Sequence, residues 1–91
     1  MTATYESPLI SLVTPMAILA ERPYGDQVLV LARCETQRLP IPECPVVTQY
    51  TLHTASARSG RLLTAASVYA DESTARAQYD RGVAALTARG L

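Results

Sequence analysis

The sequence predicts an α+β domain, an antiparallel β-sheet of three to five strands in meander order with one C-terminal α-helix packed on one face. Three observations carry that prediction. QVLVLARC, residues 27–34, places five aliphatic residues in eight and is the densest strand signal in the chain. A proline-glycine turn precedes it, so two extended segments flank a reversal and the simplest product is a β-hairpin. Near the C-terminus Ala75, Tyr79, Gly82, Val83 and Leu86 recur at helical spacing and form one apolar stripe. The chain has 91 residues, which is enough for a single core and too few for two.

Taken in order, MTATYE is a polar lead-in and PLISLV, 8–13, has the apolar density of a short strand whose Pro8 stands at its start or on an edge. Thr14-Pro15 permits two continuations. Thr as N-cap with Pro at N1 would open a helix through MAILAE, whereas extended backbone would continue as a strand from Met16 to Glu21. The reversal that follows favours the strand, because Arg22-Pro23-Tyr24-Gly25 fits a type I turn with Pro second and Gly fourth.

From Val46 to Thr54 the pattern alternates. Tyr50 and Leu52 share a face with Thr48 and Thr54, and Val47, Gln49, Thr51 and His53 share the other, which predicts a strand with one wet side. ASARSGR turns the chain, with Gly60 suited to positive φ, and RLLTAASVYA, 61–70, follows as the next strand. Asp71 is the expected helix N-cap, with Glu72 beside it at the positive end of the dipole. Arg76 and Asp80 have i,i+4 spacing, Arg89 stands in the last turn, and Gly90 is a natural stop. Gly82 costs a helix about 1 kcal/mol relative to Ala, so its place beside the stripe predicts close approach to the sheet.

One helix covers one face only. Strands 28–34 and 62–70 carry apolar residues on both, Leu29 and Leu31 against Val28 and Val30, and Leu63 and Ala65 against Leu62 and Val68. The second face therefore needs a cover, from the N-terminal segment, a second copy or a different protein, and a homodimer is the plain expectation. The core available is modest, since the chain lacks Phe and Trp and relies on Ala, Leu and Val with Tyr as its only aromatic ring besides His53.

Charge narrows the functions. Eight Arg balance eight acids, and this neutrality weighs against nucleic acid, whose phosphates reward a basic excess. Residues 1–45 hold three Arg and five acids, whereas 46–91 hold five Arg and three acids, so the halves differ in sign and could orient a complementary partner. No basic start leads into a long apolar run, and Pro8 and Pro15 interrupt the N-terminal apolar region. Neither a secretion signal nor a membrane helix is expected, which makes the cytoplasm the default location and reduced thiols the default state.

CETQRLPIPECP, residues 34–45, draws the eye first. Cys34 and Cys44 are the only cysteines, separated by nine residues, which matches neither paired zinc ligands nor a Cys-x-x-Cys redox motif. No metal and no cofactor is expected. A disulfide between Cys34 and Cys44 is open to a loop that joins adjacent strands, and two small buried thiols are the plainer reading. Pro40, Pro42 and Pro45 stiffen the connection, and Leu39 and Ile41 become two aliphatic anchors for a partner, with Arg38 beside them.

No catalytic residues are assigned. His53 reads as an ordinary solvent-facing strand histidine, and Asp71 and Glu72 are explained by capping. The turn bearing Arg58 and Arg61 could hold a phosphate or a carboxylate, but it lacks any Walker or dinucleotide pattern. The expected function is that of a non-enzymatic small binding protein, an accessory, adaptor or inhibitor acting through contacts with another protein or a second copy of itself. Two alternatives differ in class. A small enzyme would build its site at a dimer interface, and a weak nucleic-acid binder would need Arg33, Arg38, Arg58 and Arg61 to converge on one side.

Overall fold

A computed structural model describes residues 5–9 and 12–91 of the chain. Four strands, β1 (Ala17–Tyr24), β2 (Gln27–Gln37), β3 (Val46–Ser56) and β4 (Ser67–Tyr69), form one antiparallel sheet in the order β1-β2-β3-β4, and α1 (Glu72–Ala88) packs on it. This is the predicted meander with its C-terminal helix. The strand reading of residues 16–21 holds, with β1 beginning at Ala17.

The turn between β1 and β2 differs from the type I expectation. Arg22, Pro23 and Tyr24 remain in the ladder opposite Leu29, Val28 and Gln27, and Gly25-Asp26 alone make the reversal. Gly25 has φ +56° and among the described residues only glycines show positive φ, the arrangement of a two-residue hairpin turn with Gly first. Pro23 is tolerated because β1 is an edge strand.

Register divides β2 and β3 cleanly between two faces. Leu29 and Leu31 pair with Thr54 and Leu52 on the face that receives α1, here the helix face. Val28, Val30, Ala32 and Cys34 pair with Ala55, His53, Thr51 and Gln49 on the opposite face. β2 is buried from both sides, and Val30, Leu31, Ala32 and Cys34 are fully inaccessible.

The second face is covered by the N-terminal segment, one of the three covers anticipated. Tyr5 packs on the cluster of Val28, Val30, Ala32 and Ala55, together with Met16 and Ile18. The Glu6 N–H donates to the Gly60 carbonyl at 2.8 Å, and the Glu6 carboxylate accepts the Leu62 N–H at 2.7 Å. The Tyr5 hydroxyl donates to the Glu21 carboxylate on β1, and burial followed by the Glu21 bond and charge pushes the Tyr5 phenol up to about 12. Residues 5–9 thus form a strap along this face, hereafter the strap face.

Two predicted strands are corrected. PLISLV, 8–13, is not a strand among its described residues: Leu12 makes an isolated bridge to Thr36 and the Val13 N–H donates to the Glu35 carbonyl, while residues 10 and 11 lie outside the described residues. Residues 61–70 reduce to a bridge at Leu62 and the three residues of β4. Between them the Thr64 hydroxyl accepts the Thr54 N–H, a side chain standing where a ladder carbonyl would be.

The helix forms as read. The Asp71 carboxylate accepts the Thr74 N–H at 2.9 Å and the hydroxyls of Ser73 and Thr74, and those bonds hold its carboxyl below the ordinary carboxylate range. Arg89 is the C-cap and Gly90 follows at φ +76°. Arg76 pairs with Glu72 at 3.4 Å instead of the expected Asp80, because an acid four residues ahead of a base is the better-oriented pair and also faces the dipole's positive end. Ala75 and Leu86 are buried, and Tyr79, Gly82 and Val83 are half-buried beside them.

Gly82 explains itself by contact, since a Cβ there would stand 2.9 Å from Leu29 Cδ2. Gly82→Val is expected to destabilise by about 1–3 kcal/mol through overpacking, and Leu31→Ala by about 2–5 kcal/mol through the cavity it leaves. Gly82→Ala should change stability by less than about 1 kcal/mol, because helix propensity offsets the small displacement asked of a flexible leucine tip. Urea unfolding of the three variants measures the order.

Candidate functional site

The β2–β3 connection is a braced loop. The Gln37 side-chain amide donates to the carbonyls of Ile41 and Cys44 at 2.9 and 2.7 Å, the Cys44 N–H returns to the Ile41 carbonyl, and the Leu39 N–H donates to Cys44 Sγ at 3.4 Å. Three prolines stiffen what these bonds close. With its polar groups turned inward, the loop presents Leu39 and Ile41 to solvent at 53% and 44% exposure. Val46 and Val47 follow on β3, equally open.

Behind this rim lies a cavity of about 640 Å³, lined by Leu9, Thr36, Gln37, Arg38, Cys44, Pro45, Val47 and Gln49. That volume suits a side chain or small ligand. Its walls are aliphatic where Leu9, Pro45 and Val47 meet, and the Thr36 hydroxyl donates to Gln49 Oε1 at 3.2 Å across the strands. Arg38 stands exposed at the wall and makes no ion pair with any described residue. Among the residues singled out from sequence, Arg38, Leu39, Ile41 and Cys44 therefore come together at this end of the sheet. Leu9, Thr36, Val47 and Gln49 were missed. Alternation had put Val47 and Gln49 on one face, but only the strap's path could bring Leu9 to them.

The second predicted pair lies elsewhere. Arg58 and Arg61 sit in the turn after β3, at the end of the ladder away from Arg38, so about 35 Å of β2 separates them. The backbone donors of that turn are already engaged: the N–H groups of Arg58 and Ser59 donate to Ser56 Oγ, that of Gly60 to the Ser56 carbonyl, that of Arg61 to Ser59 Oγ, and that of Leu62 to Glu6. An anion there would meet only two exposed guanidinium groups. Arg33 lies mid-sheet in an ion pair with Glu35 at 3.7 Å, so the four arginines do not share one side.

The cysteines are unbonded thiols in different settings. Cys34 is buried on the strap face with its Sγ 3.9 Å from Thr51 Oγ1, and burial pushes the thiol up. Cys44 is half-buried at the cavity.

His53 overturns its sequence reading. Rather than facing solvent it is 2% exposed on the strap face, and neither ring nitrogen has a hydrogen-bond partner among the described residues. Thr51 and Ala55 are buried with it, so the stretch of β3 from Thr51 to Ala55 is dry on the side expected to be wet, with Tyr5 packed on its Ala55 end, while Val47 stays open. Cys34 is four ladder rungs away, opposite Gln49, so the strands put about 13 Å between the two positions and no Cys-His couple forms. Burial lowers the imidazole pKa from its ordinary 6.5.

Among the described residues no group of three or more His, Cys, Asp or Glu is placed to hold a metal ion, and no helix is long and apolar enough to cross a membrane. None of the known protein-family models, curated proteins or solved structures matches this chain.

The two thiols should separate kinetically. In the folded protein Cys44 is expected to react with an aromatic disulfide reagent at least about tenfold faster than Cys34, since thiolate access governs the rate. Both should react together in denaturant, and a time course of released thiolate gives the ratio.

Proposed function

We propose that this chain is a non-enzymatic binding protein that takes hold of another polypeptide at the open end of the β2–β3 hairpin. The observation that carries the reading is that exposed Leu39, Ile41 and Val47 stand at the same end of the hairpin as a cavity whose wall holds Arg38, a guanidinium with no ion pair among the described residues. Exposed aliphatics scattered singly are ordinary, whereas a contiguous group beside a preformed cavity has the anatomy of a contact surface. The surrounding chemistry suits recognition. Aliphatic walls would seat an apolar side chain, Arg38 would orient a carboxylate near it, and the Gln49 amide offers a directional polar contact. The bracing of the loop by Gln37 favours binding, because a surface held in shape loses less conformational freedom on association.

A photo-crosslinking residue placed at position 41 tests this in the cell that makes the protein. Crosslinking to a discrete polypeptide from position 41, and not from position 58 at the other end, is the expected result. Equal yields from both positions, or none from 41, would remove the reading. Leu39→Ser with Ile41→Ser should weaken that contact by roughly tenfold or more if these are its anchors. Their exposure keeps the expected stability change within about 0.5 kcal/mol, which a thermal melt checks.

A further inference from the structure

The strap is tied to the body at two places that differ in chemistry. At one end Tyr5 and Glu6 hold the Glu21 carboxylate, the Gly60 carbonyl and the Leu62 N–H. At the other, Leu9 forms part of the cavity wall. Between these anchors Tyr5 packs on Val30, the cross-strand partner of His53, and on Ala55, its same-face neighbour on β3, and Thr51 and His53 are both sealed from solvent on that face.

His53 is a costly residue to seal. An imidazole has one donor and one acceptor even when neutral, and both nitrogens here are without partners among the described residues. An apolar side chain at this position would complete the cluster of Val28, Val30, Ala32 and Ala55 without that cost. Glu21, Val30 and His53 occupy one rung across β1, β2 and β3, and the Tyr5 hydroxyl bonds the Glu21 end of that rung. The titratable groups on the elements around the imidazole are Glu21 on β1, Cys34 on β2, and Tyr5 and Glu6 on the strap; β3 adds none on this face, and the facing residue of β4 is Val68. Arg61 next to Leu62 is exposed. None of these groups bonds the ring.

We infer that protonation of His53 lifts the strap from the strap face, so that mild acid withdraws Leu9 from the cavity wall and closes down binding at the hairpin end. An imidazolium has to be hydrated or paired, and the sealed site offers neither, so the charged ring selects the state in which the strap is off. Because the closed state holds the ring neutral, its advantage is complete above pH 6.5 and falls as pH drops below that value. The loss is about tenfold in the opening equilibrium per pH unit, until the sealed ring itself begins to titrate. The consequence for binding rests on the function proposed above; the motion of the strap does not.

Hydrogen exchange, corrected for the intrinsic pH dependence of amide chemistry, tests the motion without any partner. The Glu6 amide, which donates to Gly60, and the Leu62 amide, which donates to the Glu6 carboxylate, report the strap, and amides of β2 and α1 report the body. Strap protection should fall by up to about fivefold from pH 6.5 to 5.5 while the body stays protected, and His53→Leu should abolish the difference. Parallel loss in strap and body, or an unchanged pH response in His53→Leu, would overturn the inference. Should that variant fail to fold, NMR titration of the His53 ring in the unaltered protein decides the matter. Midpoints for ring and strap that coincide support the inference, and a ring that titrates at about 6.5 with the strap still protected ends it. If the strap opens while crosslinking from position 41 persists at acid pH, the link to binding fails and the strap motion stands.

Discussion

The structure depends on one demand, that β2 be buried from both sides. Its run from Val28 to Cys34 offers aliphatic or thiol side chains to both faces until Arg33 interrupts, and burying each is favourable at about 25 cal/mol per Å² of apolar surface. Antiparallel sheets commonly leave one face wet, whereas this one covers both faces along the centre of β2. The helix meets the first half of the demand through Ala75, Leu86 and the close approach at Gly82. The strap meets the second half with far less material, a tyrosine ring and a few anchoring bonds.

That unequal cover leaves the hairpin end open. A helix of 17 residues is about 25 Å long, whereas eleven-residue strands span about 35 Å, so α1 falls short of the ladder even when laid along it. β1 and β4 are shorter than the two central strands and do not flank the far rungs. The β2–β3 hairpin therefore projects, and its projecting end holds both the exposed aliphatics and the cavity. On this account the candidate site is a product of mismatched element lengths.

The legible parts of the chain were those whose signals are local. The density of β2, the glycine at 60, the Asp71 cap and the stripe from Ala75 to Leu86 each declare themselves within a few residues, and each was found in place. What was misread turns on distant partners. Parity correctly grouped Val47, Gln49, Thr51 and His53, but only Thr51 and His53 are buried, on a face where Tyr5 packs, and no periodicity links Tyr5 to β3. Likewise 61–70 has strand composition throughout, yet Thr64 spends its hydroxyl on Thr54 and the ladder breaks. Of the cavity, sequence revealed the loop side through its prolines and aliphatics, and hid the wall supplied by Leu9.

The strap's anchors also fix an order of events during synthesis. Glu6 waits for Leu62, 56 residues further along, and Arg22 donates to the carbonyl of Leu91, 69 residues away. A chain emerging from the ribosome can therefore close the local β1–β2 hairpin while the strap has nothing to grip. Until the turn around Gly60 has formed, Val28, Val30 and Ala32 stand unshielded on one side of the nascent hairpin. That interval is when a growing chain of this sequence would most readily engage a chaperone.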